Sequence, residues 1–241
     1  MTARIRADLA LVARGFFPSR AKAAEAIAAG LVHLEGRPVS KASETIAPDA
    51  RLEAQAPYPW VSRGGVKLAA ALDEFGIDPA RRICLDVGAS TGGFTDVLLT
   101  RGAAQVTAVD VGHGQVHPKI AGDSRVTVLE RLDARHLTTA HLPSHPSLIV
   151  MDASFISLVM ILPAVLPLAS SGADLIALVK PQFEGAANKN GIVRDGRERD
   201  AALGRVLDCV RALGWRVCAT MTSPISGGDG NVEFLLHAQQ S

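Results

Sequence analysis

The chain has 241 residues, 48% of them hydrophobic and 20% charged, with 25 Lys and Arg against 24 Asp and Glu for a net charge of +1. That is ample apolar material for one or two buried cores, and it excludes a disordered chain, a histone-like polycation and an acidic tail. Cys84, Cys209 and Cys218 form no C-x-x-C pair, and neither an apolar leader nor a membrane-length apolar run occurs, so a soluble cytoplasmic protein is expected.

In chain order, Ile5, Leu9 and Val12 recur at helical spacing until Gly15 and Pro18 interrupt. Ser19 is placed to cap a second helix over 20–29, with Gly30 as its stop. Two short β-like pieces follow, with Gly36-Arg37-Pro38 as the turn between them. Residues 1–41 hold seven Lys and Arg against three acids, so near-neutrality overall hides a basic N-terminal module. A linker with Pro57, Pro59 and Trp60 leads into a glycine-punctuated turn and a helix, residues 61–76. The expected division is a domain over 1–56, a linker over 57–62 and a second domain over 63–241.

From Ile83 onward, apolar β runs alternate with amphipathic helices, the pattern of an α/β doubly wound sheet. The strand candidates are 83–89, 105–111, 125–130, 147–152 and 174–180. Two more, 215–221 and 232–238, have no helix between them and predict a final antiparallel pair. That is the outline of a class I (Rossmann-like) methyltransferase sheet behind a small α+β domain.

Residues 83–93 run a strand into a loop of small residues and then a helix from Phe94 to Leu99. The loop reads G-x-x-x-G-G, and neither a Walker A lysine nor a G-x-G-x-x-G fingerprint is present. What remains is the S-adenosylmethionine loop, with Gly88, Ala89, Ser90, Thr91, Gly92, Gly93 and Phe94 around the cofactor. Asp86 would face the methionyl ammonium. Asp110, 24 residues later and followed by Val111, would accept from ribose hydroxyls, and Asp133 would meet the adenine amino group.

Asp152 follows the fourth strand without the Pro-Pro-aromatic turn of amino-group methyltransferases, and no cysteine sits at a strand end to serve as a carbon-5 nucleophile. Asp152 and Lys180 both open onto the carboxyl-end crevice, Asp152 doubling as a cofactor contact. Glu233 begins the last strand at the same edge, and Lys67 is the fourth member. Two ammonium and two carboxylate groups suit hydroxyl methylation. A second lysine and burial favour Lys180 as a proton acceptor, whereas the carboxylates oppose that and fix its geometry. Either role is open at this point. His113 and His117, four apart, lack an acidic or cysteine partner in sequence, so no metal is expected. Residues 188–196 read as a mobile substrate loop.

Over essentially its whole length the chain resembles the TlyA family of ribosomal RNA 2′-O-methyltransferases, some of which are named hemolysins. Residues 6–41 are similar to the RNA-binding module named after ribosomal protein S4. The segments WVSRGGVKL, DVGASTGGFTD, VDVGHGQ, MDASFISL, LVKPQFE, NGIVRDG and GNVEFLL are similar to the FtsJ-like methyltransferase domain. The resemblance implies S-adenosyl-L-methionine as methyl donor and 2′-O-methylation of cytidine in rRNA of one or both ribosomal subunits. It also implies a Lys-Asp-Lys-Glu tetrad of Lys67, Asp152, Lys180 and Glu233. The RNA contacts would be Arg4, Arg6, Arg14, Ser19, Arg20, Lys22, Lys41 and Arg63, the charged ones meeting phosphates. No membrane partner is expected, and a monomer is favoured. A cytolysin would need a spanning or amphipathic segment, and a noncatalytic assembly factor would have no need of an intact tetrad.

Overall fold

The computed structural model describes residues 4–185 and 191–240. The chain divides into two compact units, Met1–Pro59 and Trp60–Ser241.

In the first unit, β1 (Ile5–Arg6) leads directly into α1 (Ala7–Ala13). Ile5 therefore belongs to a strand rather than to the helix its spacing predicts, because it pairs with Ile46 of β4 (Thr45–Ile46), far along the chain. The helix buries Ala7, Asp8, Ala10 and Leu11 and leaves Leu9 exposed. Helix α2 (Arg20–Ala28) begins as expected, with the Ser19 hydroxyl accepting from the Lys22 amide, and Gly30 leaves it with φ of 71°. Strands β2 (Val32–Leu34) and β3 (Arg37–Pro38) are joined by Glu35 and Gly36, both with positive φ, so the turn lies one residue earlier than predicted. Strand β5 (Leu52–Ala54) completes a three-stranded sheet over a core that includes Leu11, Ile27, Val32 and Ile46.

The expected linker divides between the units. Tyr58 donates to Glu25 of α2 at 2.6 Å, whereas the Val61 amide donates to Asp96 at 2.8 Å in the second unit.

The second unit runs α3 (Gly64–Phe75), β6 (Ile83–Val87), α4 (Gly93–Thr100), β7 (Gln105–Asp110), α5 (Pro118–Ala121), β8 (Val126–Glu130), β9 (Leu148–Met151), α6 (Leu158–Val165), β10 (Asp174–Val179), α7 (Gly196–Ala212), β11 (Trp215–Thr222) and β12 (Phe234–Gln240). The sheet order is β11-β12-β10-β9-β6-β7-β8, with β12 antiparallel to both its neighbours as the C-terminal pattern predicts. Side chains alternate between two cores. Leu85, Ile149, Met151, Leu175 and Val179 pack against α6 and α7, whereas Cys84, Leu148, Val150, Ile176 and Leu178 pack against α3 and α4. The strand order reverses at β6, which opens a crevice beyond the carboxyl ends of β6, β7 and β9.

Candidate active site

The loop after β6 turns on Gly88, whose φ is 83°; a Cβ there would stand 2.8 Å from the Asp152 carbonyl oxygen. Only glycine fits this approach, so the loop lies flat against the end of β9. The Ser90 amide donates to Asp110 Oδ2 and the Gly112 amide to Oδ1, both at 2.7 Å, which fixes the carboxylate at the tip of β7.

Beside it lies a cleft of about 480 Å³, lined among others by Gly88, Ser90, Asp110, Val111, Asp133 and Asp152. This is within the range of small-molecule sites. A glycine turn allowing close approach, an acid held at a strand tip and the apolar wall of Val111 together fit an adenosyl cofactor.

The other expected cofactor residues stand behind this surface. Phe94 is buried in the α3–α4 core, and Ala89, Thr91, Gly92 and Gly93 form the turn into α4 rather than the cleft wall. Asp86 is fully buried within β6; its Oδ2 accepts from the Thr95 hydroxyl at 2.6 Å and its Oδ1 has no hydrogen-bond partner. Burial pushes its carboxyl up to about 7, against the opposing Thr95 hydrogen bond. Asp133 borders the cleft, but its carboxylate is engaged by the Arg135 guanidinium at 2.6 Å, which holds it down at about 2.

The four tetrad residues stand at one end of the sheet. Val179 pairs with Phe234, so Lys180 and Glu233 occupy the next rung. Glu233 thus precedes the last strand instead of opening it. Lys67 reaches Glu233 from the first turns of α3 as a buried ion pair. Lys180 Nζ lies 2.6 Å from Asp152 Oδ1 and donates to Ser154 Oγ at 2.7 Å. A Cβ added to Gly64, at the start of α3, would stand 3.5 Å from Asp152 Oδ2, so the helix carrying Lys67 begins beside the Asp152 carboxylate.

Sequence reasoning missed Ser154 and Phe155. Phe155 is 91% exposed with φ of 64°, borders the cleft, and tilts against Phe183 at 5.3 Å between ring centroids. An aromatic three residues beyond a strand-end acid is the signal that marks it.

The RNA candidates divide by their partners. Arg14 is turned onto the carbonyls of Ala47, Pro48 and Ala50, and Arg4 onto that of Thr45. Lys22 donates to the Tyr58 hydroxyl at 2.7 Å, and its partial burial lowers the ammonium. Arg63 donates to the Ser226 carbonyl at 3.0 Å. Ser19 is the α2 cap, Lys41 is exposed, and Arg6 and Arg20 share the carboxylate of Asp8.

Residues 188–190 of the expected substrate loop lie outside the described residues. Its next part is anchored: Asn231 accepts from the Val193 amide at 2.8 Å and donates to the Gly191 carbonyl at 2.7 Å. Cys84 is pushed up to about 12 by burial, which leaves it an inert thiol. His113 pairs with Glu130, and among the described residues no His, Cys, Asp and Glu group could hold a metal ion.

Two families match the chain: FtsJ-like methyltransferase over residues 60–240 and the S4 domain over residues 5–52. The chain is 45% identical to the 16S/23S rRNA (cytidine-2′-O)-methyltransferase TlyA of Mycobacterium tuberculosis, over 98% of this chain and 90% of that one. It is 38% identical to Hemolysin A of Brachyspira hyodysenteriae, over 97% and 99%. A solved structure from Streptococcus thermophilus, provisionally named a hemolysin, superposes with a TM-score of 0.77 at 38% identity, covering 100% of this chain and 90% of that one.

Proposed function

This chain belongs to the TlyA family of FtsJ-like methyltransferases with an N-terminal S4 domain, and from that premise we propose that it methylates the 2′-hydroxyl of ribose in ribosomal RNA, using S-adenosylmethionine. The observation that carries the reading is Lys180, held between Asp152 and Ser154 at the edge of the cleft and on the same rung as Glu233 of the Lys67–Glu233 pair.

When bound, S-adenosylmethionine supplies an electrophilic methyl group on a sulfonium. Gly88, Ser90, Asp110, Val111 and the Asp133 turn would hold it, with Asp86, Ala89 and residues 91–94 shaping the loop. A lysine ammonium has three N–H donors. Ser154 takes one and the Asp152 carboxylate faces Nζ as an ion pair, which leaves an N–H to hold the ribose oxygen while the hydroxyl proton passes to solvent water. Lys180 therefore orients the nucleophile, a contribution of the positioning kind. Lys67 and Glu233 neutralise each other as a buried ion pair, with Glu233 opposite Lys180. The exposed ring of Phe155 is suited to stacking on an unstacked base, the usual mode of single-stranded RNA recognition.

The M. tuberculosis relative is named for cytidine in 16S and 23S rRNA, and cytidine within ribosomal subunits is the substrate proposed here, for a monomeric enzyme acting in the cytoplasm. Although one relative is named a hemolysin, no helix among the described residues is long and apolar enough to cross a membrane.

The test is to incubate the protein with methyl-labelled S-adenosylmethionine and isolated small subunits, large subunits or naked rRNA, and then to map the label. Label on a ribose 2′-oxygen of cytidine, reduced at least roughly 100-fold in Lys180→Ala, is expected. Label on a base, or no label despite cofactor and RNA binding, overturns the reading.

A further inference from the structure

We propose that Asp8 is a positioning residue for RNA, its buried carboxylate holding Arg6 and Arg20 as a paired guanidinium clamp for backbone phosphates. The inference rests on the RNA-directed function above and adds a residue to which neither composition nor motif assigns a role.

Asp8 lies in the first turn of α1 and is 3% exposed, yet the side chains of its two partners are 42% and 56% exposed. Arg6 donates through Nε to Oδ1 and through Nη2 to Oδ2, both at 3.0 Å. Arg20 comes from α2 and donates to the same Oδ2 through Nε at 3.1 Å and Nη2 at 3.0 Å. The Leu9 amide adds a fifth bond, to Oδ1 at 2.9 Å.

A guanidinium carries five N–H donors in a rigid fork. Each arginine presents the same edge to Asp8, so three N–H groups on each remain for another acceptor. The surplus charge is one positive, and both forks are fixed in advance, which lowers the ordering cost of gripping a phosphate. The two guanidiniums meet at one carboxylate oxygen, so their remaining donors are close enough for one phosphate or two adjacent ones. The arginine pair holds the Asp8 carboxyl down at about 2, so it stays ionised throughout the physiological range.

The neighbouring cations are arranged differently. Arg14 is occupied by backbone carbonyls, Lys22 by Tyr58 and Arg37 by Glu44. A stabilising role alone would need only one arginine on Asp8; the second comes from another helix and keeps its far edge exposed.

The decisive experiment exploits a sign. Affinity of the full-length protein for a ribosomal RNA fragment is measured across a salt series for wild type, Asp8→Asn and Arg20→Lys. If Asp8 is merely a negative charge near RNA, its neutralisation tightens binding. The clamp requires the reverse: Asp8→Asn weakens binding roughly tenfold and lowers the salt slope by about one or two, as for lost phosphate contacts. Arg20→Lys, which keeps the charge and loses the fork, is expected to weaken binding in the same direction. Matching circular dichroism and melting temperature separate loss of the clamp from loss of the fold. If Asp8→Asn does not fold, an Arg6→Lys, Arg20→Lys double variant decides. Unchanged or tighter binding with an unchanged slope overturns the clamp alone, whereas a wild-type chain without RNA affinity overturns the functional reading as well.

Discussion

Asp86 is fully buried with one carboxyl oxygen unpartnered, and burial raises its pKa to about 7. The folded protein thus holds this proton more tightly than the unfolded chain, whose aspartates titrate near about 4. Its contribution to stability is complete below that value and is lost as pH rises through about 7. Asp86→Asn, which carries no charge, should gain melting temperature relative to the parent between pH 5 and pH 8 without cofactor. A difference that stays constant across that range contradicts the assignment. The Lys67–Glu233 pair makes a second residue-scale case. Glu233→Gln leaves a buried ammonium without its counter-charge, a change that costs about 3–5 kcal/mol in comparable sites. Denaturant unfolding should register that loss, and replacing Lys67 by Met at the same time should recover part of it.

At the scale of elements, the start of α3 explains why a Gly-Gly pair precedes Lys67. A Cβ on Gly65 would stand 2.4 Å from Trp60 Cγ, and one on Gly93, at the start of α4, would stand 3.2 Å from the Gly65 amide nitrogen. Two helix starts and an indole share a space that admits no further side chains, and this contact aims the first turns of α3 at Glu233. Gly65→Ala should therefore lower stability by about 1–3 kcal/mol, the usual cost of overpacking. Because α3 carries Lys67, methyl transfer should fall with it, and a variant with unaltered melting would refute this account of the glycine. Helix α6 shows the same economy of contacts. Its entry is held by Glu184, which accepts from the Leu158 amide at 2.7 Å and from the Ser157 hydroxyl, tying the segment after Lys180 to the segment after Asp152.

For the whole molecule, the two units have separate hydrophobic cores, and all four tetrad residues belong to the second. Residues 60–241 alone should fold cooperatively and bind S-adenosylmethionine as the full chain does. Their kcat/KM on ribosomal RNA should fall at least roughly tenfold, because the basic first unit supplies phosphate contacts. Equal kcat/KM for the truncated and full-length proteins at physiological salt would assign the first unit some other role.

The sequence by itself determined the doubly wound sheet, helices α3, α4 and α7, the antiparallel C-terminal pair and the gathering of Asp152, Lys180 and Glu233 at one sheet edge. Each follows from a local regularity: strands buried on both faces read as apolar runs, and the residue after a parallel strand opens onto the crevice. Ser19 was legible as a cap for the same reason, since its hydrogen bond spans only three residues. Only the tertiary structure decided what pairs at a distance. Strands β1 and β4, two residues each, are too short to leave a period, and they take Ile5 out of the helix. Phe94 went to the core and Asp86 beneath the loop because packing behind the turn, not motif position, sets which face each side chain takes. The cations were the least legible, since a charged side chain reads alike whether it faces solvent, a backbone carbonyl or a carboxylate. Arg14 on Pro48, Lys22 on Tyr58, Arg20 on Asp8 and Lys180 between Asp152 and Ser154 are partnerships that exist only once the chain has brought together groups 12 to 36 residues apart.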